Sequence, residues 1–149
     1  MIIDSHCHLD YDPLVNNIDQ VLLNAKNNNI SKLLTIGTSL ESSKKVLEIV
    51  EKYEDIYGAI GIHPNSTTNN LDDLNQLINI KKKSKKIIAF GETGLDYFYK
   101  RSEKKINYTH LKNILNLQLV REFLLLFTQG MLMKILFPLL KSISGKQNF

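Results

Sequence analysis

At 149 residues, 43% of them hydrophobic, the chain has material for one domain with a real core and too little for two of ordinary size. Its formal charge of +4 is mildly basic, which suits a polyanionic partner without requiring one, and a single cysteine, Cys7, excludes a disulfide framework and points to a reducing compartment. Asp4, His6 and His8 fall where the apolar core of a signal peptide would lie, so the expected location is cytoplasmic.

Ile2-Ile3-Asp4 predicts a first strand, short and apolar on both sides, as parallel strands buried on two faces tend to be. A loop with Pro13 follows. Ile18, Val21, Leu22 and Ala25 share one helical face, and Asn27-Asn28-Asn29 stops that helix with residues that tolerate left-handed backbone. The second strand runs from Lys32 to Ile36. A second helix over Glu41 to Tyr53 buries Val46, Leu47, Ile49 and Val50, with Thr38 or Ser39 as its cap. Ile56 to Ile62 is the third strand and leads into His63-Pro64-Asn65. Leu71, Leu74, Leu77 and Ile78 make a third amphipathic helix that runs into the basic stretch Lys81 to Lys86, and Ile87 to Phe90 is the fourth strand. Four strand–helix alternations in order predict an α/β fold with right-handed crossovers.

After Lys105 the character changes, for Glu122 is the only acid among Lys112, Arg121, Lys134, Lys141 and Lys146. Phe123 to Leu140 is strongly apolar, yet Gln129 and Lys134 interrupt it, so it makes a poor membrane span and an odd soluble helix.

The candidate chemistry lies at strand ends. His6 and His8 leave the first strand on alternate positions; they are either ordinary polar residues at a strand end or a pair of metal ligands. Glu92 is either a surface or cap residue or a ligand. The two groups share a position, each following an apolar run where the mouth of a parallel barrel would be, and this favours a joint site. His63 follows the third strand in the same way, either rigidified in a turn by Pro64 or in contact with substrate. Asp4, Asp10 and Asp96 are either partners that fix imidazole tautomers or helix caps and loop acids. Cys7 points away from its flanking histidines and reads as packing, and the lysines at 81 to 86 read as a solvated helix end or a phosphate contact.

Asp4-Ser5-His6-Cys7-His8-Leu9-Asp10, Leu34-Thr35-Ile36-Gly37-Thr38, Gly61-Ile62-His63-Pro64 and Gly91-Glu92-Thr93-Gly94-Leu95-Asp96-Tyr97 resemble the successive motifs of the TatD family of metal-dependent deoxyribonucleases, within the amidohydrolase superfamily. The resemblance runs from Met1 to about Arg101. It implies a TIM (β/α)8 barrel, of which residues 1–101 would be the N-terminal half with four parallel strands, and a centre of two divalent metal ions. In that centre His6 and His8 would hold one ion, Glu92 would bridge to the second, and His63 would lie near the substrate. The implied reaction is hydrolysis of phosphodiester bonds in DNA by metal-activated water.

Asn65 stands where the family usually has a second histidine, and the family's later histidines and its catalytic aspartate are not found in the remaining sequence. Residues 102–149 are therefore expected to be an aberrant tail, read out of frame. Shifting the frame across Phe127 to Ile135 permits His-Thr-Arg-Asp-Ala-Asp-Glu-Asp, which looks like the family's fifth-strand motif, and loss of one adenine in the run encoding Glu103-Lys104-Lys105 would produce the shift. Three expectations follow: a remnant with little turnover, self-association through the open barrel edge with no other stable protein partner, and, as the alternative reading, membrane attachment through the apolar tail.

Overall fold

Strand and helix alternate along the chain because apolar positions recur every second residue or in continuous short runs in one set of segments and every third or fourth in the other. The computed structural model describes residues 1–68, 72–96, 103–121 and 124–127. In order they form β1 (Ile2–Cys7), α1 (Ile18–Asn27), β2 (Ile30–Ile36), α2 (Leu40–Lys52), β3 (Ile56–Ile60), α3 (Asp72–Lys83), β4 (Ile87–Thr93), α4 (Lys104–Arg121) and β5 (Leu124–Phe127). The strands make a single parallel sheet in sequence order, β1-β2-β3-β4-β5. This is half of a TIM barrel, with its helices outside.

The helices stop and start where local chemistry dictates. The Asn28 amide donates back to Asn24 and Ala25, and Asn29 takes a left-handed φ of 62°, ending α1 and turning the chain into β2. Ser39 caps α2 by accepting the Ser42 amide at 3.1 Å. Lys86 donates to the Val50 and Tyr53 carbonyls at the C-terminal end of α2. The basic stretch thus ends in a structural lysine rather than a row of free cations.

The sheet separates two apolar layers. On the helix side Val46, Ile49 and Val50 of α2, Leu77 and Ile80 of α3 and Ile114 of α4 close over Leu33, Ile56, Ile60, Ile87 and Phe90. On the other face Leu34, Ile36, Ala59 and Ala89 pack together with Tyr57 against them. Because every strand points the same way, all its C-terminal ends open on one side of the sheet, where β1, β3 and β4 deliver their polar residues.

The sequence predicts four strands and a barrel segment ending near residue 101, whereas α4 and β5 carry the alternation further. β5 pairs in parallel with β4, Ala89 opposite Leu124 and Phe90 opposite Leu125, while Leu111, Ile114 and Leu115 of α4 are buried. The strand was hidden because it lies inside a continuous apolar run, where periodicity cannot tell strand from buried helix. Residues 128–149, and with them most of the apolar tail, lie outside the described residues. Among the described residues no helix is long and apolar enough to cross a membrane.

Candidate metal centre

The loop that follows β1 is held from both sides. The buried Thr35 hydroxyl accepts the Leu9 amide at 3.0 Å, and the Leu9 side chain is itself in the core. Asp10 is buried and accepts the Ser42 hydroxyl at 2.5 Å; that hydroxyl in turn accepts the Thr38 amide at 3.1 Å. Tyr11 meets the Thr38 hydroxyl at 2.5 Å. The histidine pair is therefore tied to the end of β2, and the Thr38 carbonyl extends the tie by accepting the His63 amide at 2.8 Å.

Glu92 is brought to the same place by backbone alone. Its amide donates to the Gly37 carbonyl at 3.1 Å, and Gly61 lies so close to Gly91 that a Cβ on Gly61 would meet the Gly91 carbonyl carbon at 2.6 Å. Gly91 has a φ of 150°, open in practice to glycine. These two positions explain why the ends of β3 and β4 can converge.

The outcome is a cluster in which one ligand atom from each of His6, His8 and Glu92 lies within 4.8 Å of the others. Glu92 Oε2 is 3.8 Å from His6 Nε2 and 3.9 Å from His8 Nε2, and its other oxygen, Oε1, is 4.0 Å from His63 Nε2. These separations are too long for hydrogen bonds. Two donors on one tetrahedral ion at ordinary bond lengths stand about 3.4 Å apart, so the carboxylate–imidazole distances are a few tenths of an ångström from a common ion. The Glu92 side chain is 12% exposed and that of His6 is 50% exposed, so the histidine is the partner with room to move.

The chemistry of the donors also fits. His8 Nδ1 lies 2.8 Å from the Ile36 carbonyl, which only accepts, so the ring proton sits on Nδ1 and Nε2 presents a bare lone pair toward Glu92. Two imidazole nitrogens and a carboxylate oxygen suit zinc and its first-row neighbours better than calcium or magnesium.

The remaining candidates fall into supporting places. Asp4 accepts the His6 backbone amide at 3.0 Å and Asp10 bonds Ser42, so the contacts of these two acids are to backbone and serine. Cys7 donates to the Leu34 carbonyl, and burial, with the charges of Asp4 and Asp10, pushes its thiol up to about 12; it is an inert packing group.

One further residue, Asn107, organises the other two loops. Asn107 of α4 is fully buried; its amide nitrogen donates to the Pro64 carbonyl and the Thr67 hydroxyl, each at 2.9 Å, and its oxygen accepts the Asp96 amide at 3.3 Å. It clasps the loop after β3 to the loop after β4. A lone asparagine in a helix gives no signal of this in the sequence. On the same helix burial drives the pKa of His110 below its ordinary value, opposed by Asp73, and its Nε2 is buried without a hydrogen-bond partner among the described residues.

A family model described as TatD-related DNase matches residues 3–120. The chain belongs to this family. The match extends beyond Arg101, where the sequence motifs end, and takes in nearly all of α4. An uncharacterized metal-dependent hydrolase of Buchnera aphidicola is 35% identical over 114 residues, covering 70% of this chain and 43% of the relative. The uncharacterized metal-dependent hydrolase YjjV of Escherichia coli is 34% identical over 98 residues, covering 64% of this chain and 38% of YjjV. Among solved structures, a TatD-family hydrolase from Entamoeba histolytica superposes with a TM-score of 0.86 at 26% identity, covering 97% of this chain and 55% of its own. The crystal structure of YjjV gives a TM-score of 0.79, also at 26% identity, covering 87% of this chain and 51% of that one. The chain spans less than half the length of the curated relatives it matches.

Proposed function

We propose that the chain holds a divalent metal ion through His6, His8 and Glu92, and that it carries this centre as part of a hydrolase acting on phosphodiester bonds in DNA. The observation behind the reading is the convergence of three ligand atoms within 4.8 Å, from strands far apart in sequence, on the side of a parallel sheet where such folds place their chemistry. The relatives' description as metal-dependent hydrolases supports the reaction class. A metal ion in such a site supplies an acidified water and a Lewis acid. His8 contributes a lone pair fixed by its Nδ1–H bond to Ile36, Glu92 contributes negative charge from a sheltered position, and His63, 4.0 Å from the other Glu92 oxygen, would contact substrate.

A reading with binding but little turnover rests on a specific observation. Among the described residues the cluster contains three protein ligands, and the only other titratable side chain facing them in the ion-pair contacts is His63. Among the described residues such a centre holds one ion and brings no titratable side chain other than His63 into ion-pair range to take the proton of an attacking water.

Calorimetric titration of the chain with zinc, beside His8→Ala, tests the centre, and cleavage of a labelled DNA with and without a chelator tests the reaction. The expected result is zinc binding at one site, weakened at least tenfold by His8→Ala as a lost ligand implies, with slow cleavage that the chelator abolishes. Equal affinity in the two proteins would remove the centre, and chelator-resistant cleavage would remove the metal-dependent reaction.

A further inference from the structure

Two of the three histidines around Glu92, His8 and His63, are held in opposite tautomers, and this divides their roles. His63 Nδ1 lies 3.1 Å from the Asn65 amide, which can only donate, so Nδ1 bears the lone pair and the proton of the neutral ring belongs on Nε2. His8 is the reverse, with Nδ1–H given to the Ile36 carbonyl and Nε2 bare. The two backbone partners thus determine which ring can offer a lone pair to an ion and which can offer a hydrogen. Glu92 is divided to match: Oε2 faces the Nε2 atoms of His6 and His8 at 3.8 and 3.9 Å, and Oε1 faces His63 Nε2 at 4.0 Å.

We propose that His63 is a positioning residue of the metal centre and not a ligand: when an ion draws Glu92 in, the 4.0 Å gap between His63 Nε2–H and Glu92 Oε1 closes to a hydrogen bond that leaves Oε2 turned toward His6 and His8. This rests on the metal-binding reading above and adds the part played by a fourth side chain. The direction of the donor is built into the backbone. The His63 amide is bonded to the Thr38 carbonyl at 2.8 Å, its carbonyl accepts the Ser66 amide at 2.7 Å, and Pro64 opens the short 3-10 turn Pro64–Ser66 that supplies the Asn65 amide. The Pro64 carbonyl is in turn held by buried Asn107. A carboxylate ligand hydrogen-bonded on its outer oxygen loses the freedom to turn both oxygens away from the ion, and loss of such an outer partner ordinarily weakens metal binding about 10- to 100-fold.

The test uses the full chain with 15N-labelled histidine and reads long-range 1H–15N correlations under mildly alkaline conditions, where imidazoles in general are neutral. Without metal, His63 is expected to carry its proton on Nε2 and His8 on Nδ1. On addition of zinc the Nε2 signals of His6 and His8 shift strongly while His63 keeps its Nε2 proton. His63→Leu weakens zinc binding about tenfold, and His63→Gln, which retains an N–H donor, restores it to within about threefold. A proton on His63 Nδ1 in the metal-free wild type overturns this inference alone and needs no variant. So does a His63 Nε2 that loses its proton and shifts with zinc, or a His63→Leu that binds zinc as tightly as wild type. No zinc shift at His6 or His8 overturns the metal-binding reading together with this one.

Discussion

Replacing Asn107 by alanine is expected to be among the most damaging single changes outside the metal centre. The side chain is fully buried and makes three hydrogen bonds, to Pro64, Thr67 and Asp96. Each is worth about 1 kcal/mol net, and a partner left buried without a bond costs about 1–3 kcal/mol more. The damage is partly offset, because the Thr67 hydroxyl also donates to the Pro64 carbonyl at 2.9 Å and keeps that oxygen satisfied. The expected loss is therefore roughly 2–4 kcal/mol of a stability that for a domain is about 5–15 kcal/mol. In urea, with a slope of about 2 kcal/mol per molar, the midpoint should fall by about 1–2 M at constant slope. Lys112→Ala, at an exposed position on the same helix, serves as the control and should stay within about 0.5 kcal/mol of wild type. If Asn107→Ala behaves like the control, α4 does not clasp the two loops and the account of the domain past residue 101 is wrong.

His110 gives a pH dependence of defined sign. Its pKa is lowered by burial in the folded chain, so the unfolded chain takes up the proton first; stability is full above about pH 6.5 and falls as pH drops from there through the lower folded value. His110→Gln should flatten that part of an acid-unfolding curve, and an unchanged slope would show that other groups carry it. Alkylation of Cys7 by iodoacetamide at neutral pH should be far slower than that of a free thiol and should become rapid in urea, since the thiol is raised to about 12 and bonded to Leu34; equal rates would contradict the packing described. β1 stands at one end of the sheet with Met1, Ile2 and Ile3 exposed, so sedimentation should show self-association that Ile3→Lys reduces; a monomer at all concentrations would exclude it.

The layout of the first half-barrel is written in residue type and spacing. Ile18, Val21, Leu22 and Ala25 on one helical face, the asparagines that end α1 and the Ser39 cap act over a few residues, and such local terms are written directly in residue type and spacing. The candidate site was legible for the same reason: each of His6, His8, His63 and Glu92 ends or follows an apolar strand, and parallel strands place their ends on one side. The rest depends on contacts between residues distant in the chain. That His8 offers a bare nitrogen while His63 offers a hydrogen depends on the Ile36 carbonyl, 28 residues from His8, and on the local turn at Asn65. That Asn107 is an anchor depends on carbonyl and hydroxyl partners some 40 residues away. β5 became a strand because β4 offered an open edge beside it. Tautomer, clasp and edge pairing are each set by a partner distant in the chain, and residue order carries no direct record of which backbone groups will meet.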